Sequence, residues 1–202
     1  MHRTPIAAAA SAAATLALSG TALAQSPGEV IIEIDRPVLM PEESTTVRLL
    51  ADYDSAVDFA MGGIATSLLA ETGGVNVSGA WSDATLLGRM AYPGTTPGVP
   101  DAGGFAGIIA GQFHWWQDPG ATARSDPIPF WQATFTAPDE GRGFAVDLST
   151  LSTRFDVYVS RDSSRSESRL DGLTEGSGRI IVVPAPASGL VMLALLASRR
   201  RR

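Results

Sequence analysis

Alternation of apolar and polar residues restricts this chain more than any single residue does. Thr153-Arg154-Phe155-Asp156-Val157-Tyr158-Val159 puts Phe155, Val157 and Val159 on one face and charges on the other, the period of a strand with one buried side. Glu29 to Asp35 alternates in the same way until Arg36-Pro37 breaks it. Pro41-Glu42-Glu43-Ser44 is a turn signal, and Thr45 to Ala51 then predicts a second strand. Ala56 to Ala65 predicts a third, with Ser67 to Glu71 as its continuation or a short helical turn. Val75 to Trp81, Phe130 to Ala137, Phe144 to Ser149 and Thr153 to Val159 predict four more. Phe105 to Trp116 reads as a strand pair or one bulged strand, and Arg179 to Val183 as a last strand. Tyr92 to Gly104, Asp118 to Pro129 and Ser160 to Gly178 read as loop or linker. Many short strands separated by turn residues predict an all-β fold, an antiparallel β-sandwich. A body of about 150 residues buries a core without disulfides, and the chain has no Cys.

The two ends follow different rules. Met1-His2-Arg3 precedes an Ala/Leu-rich run that closes Ala22-Leu23-Ala24. A positive start, an apolar middle and a small-x-small site make a secretory signal peptide, here residues 1–24, with cleavage after Ala24. From Ile180 to Ser198 there is no charge, and Arg199, Arg200, Arg201 and Arg202 end the chain. Pro184 and Pro186 confine any helix to the part from Ser188 on. That is short against the roughly 20 apolar residues of a span. The terminal arginines resist translocation and act as a cytoplasmic anchor.

Val183-Pro184-Ala185-Pro186, the apolar helix and the arginine cluster together resemble the PEP-CTERM sorting signal of exported bacterial proteins. Ala185 stands where that family usually has Glu. The resemblance implies the export machinery and an exosortase-type sorting enzyme as partners. It also implies a transient membrane anchor and delivery to the cell surface or extracellular matrix. The expected organisation is a signal peptide at 1–24, a sandwich at 25–160, a polar linker and last strand at 161–183, and a sorting tail at 184–202.

Arg3 and the four terminal arginines account for 5 of the 15 basic residues, leaving 10 against 21 acidic residues in the body. So acidic a body argues against nucleic acid as a partner. The opening strand with its Glu-rich turn, the Asp58-Phe59-Ala60 segment and the run from Pro129 to Pro138 resemble cohesin-like and related carbohydrate-binding jelly rolls, which implies a jelly-roll or cohesin-like form of the sandwich. That resemblance implies protein or glycan contact and carries no binding residue with it.

Catalytic candidates are sparse. His114 is the sole histidine after signal removal, and no Gly-x-Ser-x-Gly elbow surrounds any Ser. Neither a metal site nor a cofactor is expected: Asp52-x-Asp54 lacks an EF-hand continuation. Asp52, Asp54, Asp58, Asp118, Asp139 and Glu140 are the acidic residues that a glycan hydrolase with paired carboxylates would draw on. Of the four tryptophans, Trp115 and Trp116 are the candidate glycan platform, although adjacent strand residues face opposite ways. The expectation is an exported, non-catalytic surface or matrix protein acting as an adhesion or scaffold module. The alternatives are a carbohydrate-binding module using Trp115 or Trp116, and the hydrolase.

Overall fold

The computed structural model describes residues 28–53, 60–87, 94–101, 103–111, 127–158, 167–168 and 173–184. The strands among them are β1 (Glu29–Ile34), β2 (Val38–Leu39), β3 (Ser44–Asp52), β4 (Ala60–Glu71), β5 (Trp81–Leu86), β6 (Val99–Asp101), β7 (Gly104–Gly111), β8 (Ile128–Thr136), β9 (Phe144–Tyr158), β10 (Glu167–Ser168) and β11 (Ser177–Val182). They form a four-stranded sheet, β1-β3-β8-β5, and a seven-stranded sheet, β2-β11-β9-β4-β7-β6, with β10 on the far half of β9. Pairing between these strands is antiparallel except where β11 meets β2 in parallel, and Glu29 of β1 forms one further parallel bridge with Thr174. The expected all-β sandwich is therefore present. Among the described residues no helix is long and apolar enough to cross a membrane. The segments expected as terminal helices lie outside the described residues.

Alternation does what it predicts where strands are regular. In β3, Thr45, Val47, Leu49 and Ala51 are buried and the residues between them half-buried. In β8, Phe130 and Trp131 are both buried because the β3 register shifts between Leu49 and Leu50. A bulge thus turns two successive aromatics into the core.

Four expectations need correction. Val75 to Trp81 is a connection, and the strand begins only at Trp81. Val75 and Val77 are buried in strand-like alternation. The Asn76 side chain accepts from the Ser78 amide at 3.0 Å, however, and the Ala80 amide bonds the Val77 carbonyl. These local bonds replace a ladder. The two strands expected over 144–149 and 153–159 are one strand, β9, carrying a bulge opposite Thr66. The loop expected over 92–104 contains β6, whose Pro100 is tolerated because β6 is an edge strand. The segments expected as loop at 118–129 and 160–178 supply Ile128 and Pro129 to β8, all of β10, and the start of β11.

The core is centred on an edge-to-face chain of rings. Phe135 meets Trp81 at 5.0 Å, Trp81 meets Phe105 at 5.7 Å, and Phe105 meets Trp131 at 5.1 Å. Each fully buried aliphatic or Phe side chain here contributes about 1.5–3 kcal/mol. Both indoles reach across from the four-stranded sheet. Trp131 Nε1 donates to the Pro97 carbonyl at 2.8 Å and Trp81 Nε1 to the Gly103 carbonyl at 2.5 Å. These bonds pin the chain just before and just after β6.

The β9 bulge holds a polar plug. One extra residue turns both Thr150 and Thr153 inward. The Glu175 carboxylate accepts from the Thr150 hydroxyl at 2.7 Å, the Thr153 hydroxyl at 2.5 Å and the Thr153 amide at 2.9 Å. The Thr153 hydroxyl also meets the Thr66 hydroxyl at 2.7 Å. Partial burial pushes the Glu175 carboxyl up, but the bonds from Thr150 and Thr153 outweigh it, and its pKa falls below the ordinary 4.5. A depressed folded pKa stabilises the fold above the unfolded value, and that contribution is lost as pH falls through the folded value. Denaturant midpoints followed downward from neutral pH should therefore fall less for Glu175→Gln than for the wild type across the acid range. Glu175→Ala should cost about 1–3 kcal/mol at neutral pH, because the buried Thr153 amide loses its acceptor.

Candidate interaction surface

The two outer faces differ in kind. On the four-stranded sheet, Arg48 lies 2.5 Å from Asp35 and 3.3 Å from Glu33. Rows of short polar side chains follow: Thr46, Thr134 and Ser82 are in register, as are Gln132 and Thr85. Ser44 and Thr136 share a hydrogen bond of 2.8 Å. That face is wetted and charged, and its edge strand β1 carries Glu29 and Glu33, which discourage edge pairing.

The larger sheet shows the opposite character. Among the described residues the large apolar side chains that are exposed are Val38, Met40, Val99, Ile109, Leu151 and Ile181, each 41–67% exposed. Five sit on strands of this sheet, and Met40 follows β2 directly. Register places them: Val38 lies beside Ile181, Leu151 opposite Ser67, and Ile109 opposite Ala65, which pairs with Arg154. Small residues lie between them. Gly63, Ala65, Ile109, Gly111, Arg154 and Asp156 contribute to one shallow cleft of about 380 Å³. Two ion pairs lie among these side chains on the same sheet, Arg179 to Asp147 at 2.5 Å and Arg154 to Asp156 at 3.4 Å. The hydrogen bond from Arg179 holds the Asp147 carboxyl below its usual range.

A second cleft, about 560 Å³, opens at the end of the sandwich and is lined by Glu42, Asn76, Ser78, Thr136 and Asp139. Glu42 has φ of 68° in the β2–β3 turn, and Asp139 Oδ1 accepts from the Gly141 amide at 3.0 Å.

Of the residues singled out in the sequence, Trp81 and Trp131 prove to be core. Trp115, Trp116, His114, Asp54, Asp58 and Asp118 lie outside the described residues, as do Ala22, Ala24, Ala185, Pro186 and Arg199 to Arg202. Asp52 is at the end of β3, opposite Glu29, while Asp139 and Glu140 sit in the β8–β9 connection at the other end. Asp52 and Asp139 are thus separated by the length of the sandwich. Val183 and Pro184 directly follow β11. Among the described residues no three His, Cys, Asp or Glu side chains are grouped to hold a metal ion.

The exposed aliphatics were not anticipated. The usable signals were Ile108-Ile109 and Ile180-Ile181, since adjacent residues of a strand face opposite ways and one of each pair must point outward.

Strand order, bulges and core together define a cohesin-like β-sandwich. The chain is similar to the cohesin module of a family 33 glycoside hydrolase from Clostridium perfringens, at 6% identity and TM-score 0.50, over 80% of this chain and 100% of that one. It is also similar to a chain of a type I cohesin–dockerin complex from Clostridium thermocellum, at 11% identity and TM-score 0.50, over 79% and 95% of the two chains. A type I cohesin from Pseudobacteroides cellulosolvens matches at 15% identity and TM-score 0.52, over 80% and 96%. No family model matches the chain, and no curated protein matches it.

Proposed function

We infer that the protein is an exported, non-catalytic scaffold or adhesion module that docks a protein partner on the outer face of its larger sheet. The observation that carries this is the segregation of exposed aliphatics. Val38, Val99, Ile109, Leu151 and Ile181 all belong to one sheet, while among the described residues the other sheet exposes no large aliphatic side chain. Their confinement to one face, with small residues between them, supports a contact surface there. The cohesin-like fold supports the same use, since one of the similar structures is a cohesin–dockerin complex.

Export and sorting complete the reading. The signal peptide is removed after Ala24. The tail is recognised through Val183, Pro184, Ala185 and Pro186, with Arg199 to Arg202 retained on the cytoplasmic side until an exosortase-type enzyme acts. The protein is then delivered to the cell surface or the extracellular matrix.

The test compares substitutions on the two faces. The purified body is immobilised and probed with surface proteins and polysaccharides of the producing bacterium. Leu151→Arg combined with Ile109→Arg should weaken protein binding at least about tenfold, the loss typical of contact residues costing more than 1 kcal/mol. Thr46→Arg on the other face should leave binding unchanged, with circular dichroism confirming that both variants fold. Polysaccharide binding that survives these changes and disappears in Trp115→Ala or Trp116→Ala would instead assign a carbohydrate-binding module.

A further inference from the structure

The last strand leaves no spacer before the Pro-Ala-Pro segment. β11 ends at Val182, yet the Val183 amide still donates to the Leu39 carbonyl at 2.9 Å, carrying the pairing with β2 one residue further. The preceding donor on that edge, the Ile181 amide, bonds the Pro37 carbonyl at 2.7 Å. Pro184 is seated on Gly143, the residue before β9. A Cβ built on Gly143 would come within 3.1 Å of both the Pro184 Cδ and the Val182 carbonyl oxygen. Val183 and Pro184 are thus fastened to the sandwich by a backbone hydrogen bond and a ring contact.

An endopeptidase takes its substrate as an extended strand, with residues on both sides of the scissile bond in its cleft. A residue already bonded into a sheet is not available for that. Cleavage then follows the population of a locally opened state. Resting on the reading of residues 183–202 as a sorting signal, we propose that the folded body masks its own sorting motif. The tail is removed only from molecules in which Val183 and Pro184 have come away from Leu39 and Gly143. The cover is thin, because β2 has only two residues. Opening therefore costs about as much as one or two backbone hydrogen bonds. Folding and tail removal compete: a chain cut before β11 docks is released at once, whereas a chain that folds first keeps its anchor longer.

Tail loss is followed by pulse-chase and intact mass in cells carrying the sorting enzyme. The wild type is compared with a chain in which a Gly/Ser spacer of about ten residues follows Pro184. A second Val-Pro copy after the spacer restores the motif clear of the sheet. The spacer chain should lose its tail about tenfold faster, the factor that one lost hydrogen bond sets. Equal rates would overturn the masking proposal and leave the sorting reading standing. Loss of the tail in neither chain would overturn both. Hydrogen exchange on the purified full chain gives a readout independent of the enzyme. The Val183 amide should exchange about tenfold slower than in an unstructured chain, and exchange at the rate of an unstructured chain would also overturn the proposal.

Discussion

Trp131→Ala is expected to lower the unfolding free energy by about 3–5 kcal/mol, the range for deleting a large buried aromatic. Trp131 is fully buried and ends the ring chain that runs through Phe105 and Trp81 to Phe135. Its loss opens a cavity between the two sheets. It also removes the donor that holds the Pro97 carbonyl, and with it the approach to β6. Thermal unfolding should shift down by about 6–20 °C for a domain of this size. Trp131→Phe separates the two contributions. It keeps most of the ring volume but leaves the Pro97 carbonyl without its donor, at a cost of about 1–3 kcal/mol. A Trp131→Phe midpoint equal to the wild type would show that the indole bond contributes nothing to holding β6.

Gly104→Ala is the second large effect. A Cβ at Gly104 would lie 1.9 Å from the Leu68 carbonyl oxygen and 3.2 Å from the Leu69 Cα. The obstacle is backbone, so no rotamer relieves it. Either β7 or β4 must move, beside the bulge where their register shifts between Thr66 and Leu68. The cost is expected to reach about 3 kcal/mol or more, the upper range of overpacking. Gly79→Ala is the control. Nothing lies within 4 Å of a Cβ there, and its midpoint should stay within about 0.5 kcal/mol of the wild type. Urea midpoints for the two variants measure the difference. Gly104→Ala as stable as Gly79→Ala would mean that β4 and β7 sit further apart than the structure has them.

Both effects bear on how much of the fold was legible in the sequence. β1, β3, β8 and β11 were legible because each has a dry face and a wet face, and alternation reports that directly. The one-strand identity of β9 was hidden by Ser149 to Thr153. That stretch is polar enough to pass for a turn, and it is held inside the sheet by Glu175, far along the chain. Val75 and Val77 misled for the converse reason. Burial alternates there without a ladder, because Asn76 and the Val77 carbonyl satisfy nearby donors. β6 was invisible because Pro100 and its neighbours carry no apolar pattern. What makes it a strand is pairing with β7 and the two indole bonds that flank it.

The interaction face was less legible than the fold. An exposed Leu151 or Ile109 cannot be told from a buried one until the bulges that set each strand's phase are known. Trp115 and Trp116, the tryptophans singled out in the sequence, lie outside the described residues, while Trp81 and Trp131 belong to the core.

The proposed role depends first on where the mature protein resides and in what form. Intact-mass and terminal-peptide mass spectrometry of the protein recovered from the cell surface measures both at once. The expected species begins at Gln25 and has lost the arginines at its end. Recovery instead from the cytosol, with Met1 and Arg202 both retained, would contradict a role outside the cell.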